Sequence, residues 1–317
     1  MKILFTADIH IKLGQKSVPV AWAKNRYALL FKNLQDIQEN CDIFIVGGDT
    51  FDRIPTIEEL ELFFEFVAGC KIPTYIYSGN HEALKKNTTF LTNLKSTVNL
   101  LNKKVSIVDT LTTIEGIDFI PYNKLKEWVQ DSILLEANSK ILCTHVRGEI
   151  LPHVKPEIDL ELLKDWDIVL AGDLHSYENS QLNILYPGSP VTTSFHRNKV
   201  ETGVIVLDSE TLKHEWIKLE LPQLIRKTIQ VGDTPQATDY DLTVYEVEGD
   251  ISELGALVDS ELIDKKILKK ESDTALILSQ EMSLAEEVSE YAKYILQLNE
   301  DVIEQILDEL NNNISRI

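Results

Sequence analysis

The sequence predicts an α/β fold: two packed β-sheets flanked by helices, then a small α/β module and a C-terminal helical hairpin. Three observations predict it. Strand-length apolar runs alternate with helix-like segments over residues 1 to about 220, the pattern of sheets covered by helices. Five of those runs end in a carboxylate, an amide or an imidazole. Beyond Ser283 the strand-like runs stop, and apolar residues recur at spacings of three and four.

The elements follow in chain order. Lys2–Ala7 leads into Asp8-Ile9-His10, and Ala28–Gln38 reads as a helix. Asp42–Val46 leads into Gly47-Gly48-Asp49-Thr50-Phe51-Asp52. Ile57–Val67 is a second helix, with Thr56 as N-cap and Glu residues in its opening stretch that suit the helix dipole. Thr74–Tyr77 precedes Ser78-Gly79-Asn80-His81-Glu82, Lys140–Cys143 precedes Thr144-His145, and Ile168–Leu170 precedes Ala171-Gly172-Asp173-Leu174-His175. Strand-like stretches recur at Leu182–Tyr186, Gly203–Leu207 and His214–Leu219. Leu221-Pro222 marks a boundary, after which Arg226–Val231 and Leu242–Val247 read as strands and Ser252–Leu268 as a helix. The expected domains are therefore 1–220, 221–280 and 281–317. In the last, Ser283 with Glu286 fits a capping box for a helix to about Leu298. Asn299 can cap a second helix striped by Val302, Ile303, Ile306, Leu307, Leu310 and Ile314. That segment carries nine acidic and two basic residues, and its apolar face needs a cover, from the chain itself or from a partner helix.

Composition narrows the function classes. A hydrophobic content of 44% is enough for a real core, and no run approaches the roughly 20 apolar residues of a membrane span. No signal region opens the chain, and Cys41, Cys70 and Cys143 are single and widely spaced. Both features predict a cytoplasmic protein with reduced thiols, and neither a disulfide frame nor a zinc cluster. The formal charge is −20, so the average surface repels a polyanion. Binding to DNA would need a local basic patch or a basic partner. Lys12, Lys16, Lys24 and Arg26 form one candidate track, and His196-Arg197-Asn198-Lys199 another; a solvated surface loop explains either equally well.

Ligands of open α/β sheets gather beyond the carboxyl ends of the strands. Five neighbouring strand ends would thus bring Asp8, His10, Asp49, Asn80, His145, Asp173 and His175 into one small volume. Carboxylate oxygen and imidazole nitrogen without thiolate suit hard or borderline divalent ions. Asp8 and His10 can reach one ion through a short turn, and Asp49 follows two glycines that let the backbone turn sharply. One carboxylate can bridge two ions, and an ion pair roughly 3.5–4 Å apart is what phosphoester hydrolysis uses.

The ordered set Asp8-Ile9-His10, Gly48-Asp49-Thr50-Phe51-Asp52, Gly79-Asn80-His81-Glu82, Thr144-His145 and Gly172-Asp173-Leu174-His175 resembles the calcineurin-like metallophosphoesterases. Within them it is most similar to the SbcD-type DNA nucleases, and the short chain resembles their phage-encoded recombination form. Tyr186-Pro187-Gly188-Ser189-Pro190 and Ile120-Pro121-Tyr122 support that branch. The resemblance implies two divalent ions, manganese with magnesium as the alternative. Asp8, His10, Asp49 and His175 would surround one; Asp49, Asn80 and His145 the other. It makes His81 the catalytic imidazole that protonates the leaving oxygen, with Asp52 as its orienting partner. It also implies exonuclease and endonuclease activity in DNA recombination, repair or end processing. Residues 221–280 would be a capping domain, and 281–317 would bind an SbcC-like SMC-type ATPase, with a homodimer inside a heterotetramer. Two positions depart from the pattern. Asp173 stands where the family has a histidine, and Glu82 where the nuclease branch often has Asp.

Two other readings remain open at this level. Gly79-Asn80-His81-Glu82 and Asp52-Arg53 are also the spelling of metal-dependent phosphoprotein phosphatases, which a preference for monoesters over diesters would reveal. A non-catalytic adaptor of the ATPase would keep the fold and fail to bind manganese.

Overall fold

The structure is a computed structural model that describes residues 1–84, 88–130, 138–258, 260–268, 282–296 and 298–314. The first half alternates β1 (Lys2–Thr6), α1 (Val20–Gln38), β2 (Ile43–Gly47), α2 (Ile57–Gly69), β3 (Thr74–Tyr77), α3 (Phe90–Leu101) and β4 (Val105–Val108). It continues through β5 (Thr112–Ile114), β6 (Ile117–Ile120), α4 (Tyr122–Gln130), β7 (Ile141–His145), β8 (Ile168–Gly172), β9 (Ile184–Leu185), β10 (Gly203–Asp208) and β11 (His214–Lys218). One sheet runs β11-β10-β1-β2-β3-β4, the other β5-β6-β7-β8-β9. β1 to β4 are mutually parallel, as are β6 to β9, so the carboxyl ends of β1, β2 and β3 lie side by side, as do those of β7 and β8.

Side-chain alternation builds the layers, because successive residues of a strand face opposite sides of its sheet. Ile3, Phe5, Ile43 and Ile45 of the first sheet meet Phe119, Ile141, Cys143 and Leu170 of the second in a core between the sheets. Leu4, Phe44, Val46 and Ile76 face the other way, onto Leu30, Leu34, Phe63 and Phe66 of α1 and α2. Leu142 and Val169 pack outward on Leu125, Trp128 and Trp166. Two sheets between two helical layers is the fold class expected from the sequence. The three thiols are free, and among the described residues no helix is long and apolar enough to cross a membrane.

Several boundaries differ from the expectation. α1 begins at Val20, where Pro19 in an extended conformation caps it and Ala23, Tyr27, Leu30, Phe31 and Leu34 form its buried stripe. The sequence signals little between Tyr77 and Ile141, where α3, α4 and three strands lie. A third sheet holds β12 (Leu224–Gln230), β13 (Leu242–Gly249) and β14 (Ile263–Leu268) in that order. The helix expected over Ser252–Leu268 is only α5 (Ile251–Ala256). Ile263–Leu268 is β14 instead, because Tyr245 N–H donates to the preceding Leu262 carbonyl (2.7 Å) and Arg226 holds Asp264 (2.7 Å), anchoring the segment to its neighbours.

The chain divides into two compact units, Met1–Ile267 and Leu268–Ile317. The third sheet belongs to the first unit: Leu221, Leu224 and Leu242 join the core under α1 and α2. In the second, α6 (Leu284–Glu290) starts with the Ser283–Glu286 capping box and continues as a π turn over Tyr291–Ile295. Asn299 caps α7 (Glu300–Ile314) through the Val302 N–H, and the two helices pack on each other. Of the expected stripe, Ile303 is buried and Val302 remains exposed; the side chain of Ile314 lies outside the described residues.

Candidate metal centre

The ends of β1, β2 and β8 turn abruptly into the site. Asp8, His10, Asp49 and Asp173 all adopt positive φ, at 56°, 48°, 48° and 103°. Non-glycine residues rarely sit there, and such conformations persist only where surrounding structure fixes them. Here the loops fix one another. Asp8 N–H donates to the Gly48 carbonyl (3.0 Å), His10 N–H to the Asp49 carbonyl (2.9 Å) and Asp173 N–H to the Asp8 carboxylate (3.1 Å). Ser189 of the Pro187-Gly188-Ser189-Pro190 turn donates its hydroxyl to the Asp8 carbonyl (2.7 Å). Gly79 must be glycine, since a Cβ there would lie 2.1 Å from Asp49 Oδ1 and 2.5 Å from its nitrogen.

Glu82 ties two of the loops together from below. Its buried carboxylate accepts N–H bonds from Asp49 (3.0 Å), Phe51 (2.8 Å) and Gly79 (2.8 Å). The sequence marks Glu82 only as the last residue of the Gly79-Asn80-His81-Glu82 motif, so this role becomes visible only in the fold.

Asp49 is the hub. Its Oδ2 lies 3.7 Å from His10 Nε2, 3.8 Å from His81 Nε2 and 3.6 Å from His145 Nε2, while its Oδ1 accepts the His81 N–H at 2.9 Å. Around it, His10 Nε2 faces His175 Nε2 at 3.1 Å, and His145 Nε2 faces Asn80 Oδ1 at 3.2 Å. His145 turns Nε2 inward because its Nδ1 bonds the Gly47 carbonyl (2.9 Å). A ring N–H on a backbone carbonyl is the usual support of a metal-binding imidazole. Ligating atoms of Asp8, His10 and His175, of His10, Asp49 and His81, and of Asp8, Asp49 and His145 form three groups, each within 4.8 Å.

His81 is half-exposed and bonds through Nδ1 to the backbone carbonyl of Asp52 (2.6 Å), not to its carboxylate. The Asp52 carboxylate is instead held by Lys12 at 2.7 Å. Asp173 faces Arg147, with Nε donating to Oδ2 at 3.0 Å, and its Oδ1 is 3.9 Å from His145 Nε2. The structure thus brings all nine expected residues to one place, with Asp52 acting there through its main chain and Asp173 joined to a cation. The expected basic tracks are largely occupied by other partners. Lys16 pairs with Asp264, Arg197 with Glu246 and Lys199 with Asp241, while Arg26 is buried against the Thr192 carbonyl.

The donor set fits divalent cations. Burial pushes the Asp8 carboxyl up to about 8, with His145 opposing and Asp49 adding to the rise. Burial likewise lifts Glu82 to about 7, reinforced by Asp49. Burial alone would lower His145, yet Asp49 and Asp8 outweigh it and raise that imidazole to about 9. His10 is held well below its ordinary value by burial and by the neighbouring imidazoles. Carboxylates crowded in a buried site with imidazole nitrogens aimed at one another is an arrangement that a central positive charge relieves.

A four-layer α/β sandwich with these donors at its strand ends defines a metal-dependent phosphoesterase. The chain belongs to the calcineurin-like phosphoesterase family, whose profile matches residues 1–182. Over 97% of its length, and 97% of the relative's, it is 42% identical to the "Probable exonuclease subunit 1" of Escherichia phage T5. It is 23% identical to the "Putative phosphoesterase 078R" of Invertebrate iridescent virus 3, over 74% of this chain and 70% of that one. A solved archaeal phosphodiesterase, 16% identical, matches 69% of this chain and 100% of its own with a TM-score of 0.40.

Proposed function

We propose that the chain is a two-metal DNA nuclease subunit, a phosphodiesterase with exonuclease or endonuclease action in DNA recombination, repair or end processing. The observation that carries this reading is the position of Asp49 Oδ2, within 3.8 Å of three imidazole nitrogens and so suited to bridge two ions. Asp8, His10, Asp49 and His175 would hold one ion, and Asp49, Asn80 and His145 the other, with manganese the expected metal and magnesium the alternative. Bound there, the ions would activate water and stabilise charge on the phosphate. His81 Nε2 faces the hub while its Nδ1–H is committed to the Asp52 carbonyl, so as an imidazolium this ring can deliver its Nε2 proton to the departing 3′ oxygen and be left neutral. A cavity of about 820 Å³ beside His175, walled by Tyr177, Trp216, Thr193 and Ser194, leaves room for the nucleosides flanking a scissile diester.

The similarity to a phage exonuclease subunit supports a multi-subunit nuclease. In this reading the C-terminal helices dock on an SbcC-like SMC-type ATPase, two copies of the chain form the centre of a heterotetramer, and residues 221–280 act as the capping domain. Such a complex would work in the host cytoplasm.

The test is purified chain with manganese, offered linear duplex DNA and an aryl phosphate monoester, each with a chelator control. Chelator-sensitive loss of DNA is expected. Strong monoester cleavage with intact DNA would place the chain among phosphatases. Inactivity on both substrates, with no bound manganese, would leave the adaptor reading.

A further inference from the structure

Asp173 differs from the other acids of the centre in already holding a cation. Arg147 grips it at two points, Nε to Oδ2 at 3.0 Å and Nη2 to Oδ1 at 3.3 Å. A fork of this kind fixes the guanidinium plane as well as its position. Asp173 also stays outside the three ligand groups, which draw only on Asp8, His10, Asp49, His81, His145 and His175. Its strained backbone donates to the Asp8 carboxylate, while its side chain is turned to Arg147.

The arginine is fixed from behind as well. Val146 N–H donates to the Gly172 carbonyl (3.3 Å), the Tyr186 hydroxyl donates to the Val146 carbonyl (3.0 Å), and Glu157 N–H donates to the Arg147 carbonyl (3.1 Å). The guanidinium nonetheless remains open: the Arg147 side chain is 44% exposed against 6% for Asp173. Among the described residues Nη1 has no hydrogen-bond partner. The path from His145 Nε2 is short, 3.9 Å to Asp173 Oδ1 and 3.3 Å on to Arg147 Nη2. A phosphate held beside His145 and Asn80 would therefore have a rigid, half-exposed cation one carboxylate away.

We propose that Arg147 is a phosphate-binding residue of this centre, and that Asp173 serves to hold it and is not a primary metal ligand. The guanidinium takes a non-bridging oxygen of the scissile phosphodiester at the Asn80–His145 end. This rests on the phosphoesterase reading of the same centre. The sequence carries one signal of it: an arginine two residues after His145, in a chain where Asp173 replaces an imidazole. The pair puts a carboxylate where the resemblance expects an imidazole and a fixed guanidinium just beyond it.

The test uses the full chain with manganese, as wild type and as Arg147→Ala, Arg147→Lys and Asp173→Asn, with folding checked by circular dichroism. Bound manganese is counted by elemental analysis after dialysis, and inorganic phosphate is titrated as an inhibitor of bis(p-nitrophenyl) phosphate cleavage and, independently, by calorimetry. Arg147→Ala is expected to weaken phosphate about 10- to 100-fold, the range of a charge-assisted contact, with manganese content unchanged. Lysine should restore only part of the affinity, since a point charge cannot reproduce the fork. Asp173→Asn should keep the full manganese count and lose phosphate affinity to a smaller degree. Unaltered phosphate affinity in Arg147→Ala overturns the proposal, and so does loss of one manganese in Asp173→Asn. If both arginine variants unfold, the residue is structural and the proposal also falls. A wild-type chain that binds no manganese and cleaves no diester would instead overturn the phosphoesterase reading, while calorimetry would still compare wild type with Arg147→Ala.

Discussion

Glu82 offers the most direct measure of how the loops of the centre hold one another. Its carboxylate is only 2% exposed and takes three main-chain N–H bonds, from Asp49, Phe51 and Gly79. Glu82→Ala strands all three donors. At about 2 kcal/mol for each buried, unpaired group, the loss is about 6 kcal/mol. Part is offset, because the mutant no longer buries a carboxyl whose pKa is raised from 4.5 to about 7. That shift corresponds to about 3 kcal/mol at pH 8, which leaves a net loss of about 3 kcal/mol. Glu82→Gln gives up one bond together with the charge, and the two effects of about 2 and 3 kcal/mol nearly cancel. Glu82→Asp keeps the charge but is one methylene short, so it loses about 2 kcal/mol with nothing returned. The expected order of stability is Gln above Asp above Ala, read by urea unfolding of chelated protein at pH 8. Manganese content after dialysis should fall furthest in the alanine variant, because Asp49 and Asn80 sit on the two loops that Glu82 joins. An alanine variant within 1 kcal/mol of wild type and with its full metal content would refute the reasoning.

Three further outcomes follow, two from the same geometry and the last from the proposed nuclease-subunit reading. His81→Ala should keep its manganese and lose about 10²- to 10⁴-fold in diester turnover, the usual contribution of a positioned acid; native turnover would remove His81 from the mechanism. The pKa values of Asp8, Glu82 and His145 are all raised, to about 8, 7 and 9, so their contributions to folding are present at low pH and are lost as pH rises through those values. His10 and His175 shift downward, and their contributions are lost as pH falls below 6.5. Metal-free protein should therefore lose stability from pH 6.5 to 9, and manganese should flatten or reverse that slope; a flat metal-free profile by thermal unfolding would contradict the assignment. Finally, removing residues from Ser283 onward should abolish capture of an SMC-type ATPase subunit without reducing manganese content. Continued capture would show that the helical hairpin is not the docking element.

The fold was legible where local chemistry and tertiary structure agree. Buried parallel strands read as continuous apolar runs, and a polar residue at the end of each marks where the chain leaves the sheet, so β1, β2, β3, β7 and β8 are visible directly. The segment Ile263–Leu268 was not legible as a strand. Its Asp264-Lys265-Lys266 centre has no strand periodicity, and pairing with Arg226 and the neighbouring strand decides its conformation. The site follows the same division. Residue types and order identify the donors, but partners depend on distances between loops far apart in sequence. Only the folded chain shows that the Asp52 carboxylate serves Lys12 while its carbonyl orients His81, or that Asp173 faces an arginine.

The distribution of charge bears on how such a centre would meet a polyanion. The chain has 31 basic against 51 acidic residues, and Lys12, Lys16, Arg197 and Lys199 of the candidate basic tracks are already engaged by carboxylates of the same molecule. Counterion release from several phosphates, which normally drives binding to a duplex, has little to act on here. Under the nuclease reading the isolated chain would therefore grip one phosphate strongly, through the ions and Arg147, and the rest of the strand weakly. Affinity for long DNA would have to come from a basic partner. Turnover of a small diester by the chain alone should then depend little on salt, whereas cleavage of duplex DNA should rise sharply when the partner is added. Equal salt dependence for the two substrates, with no gain from a partner, would point to a basic surface on the chain itself.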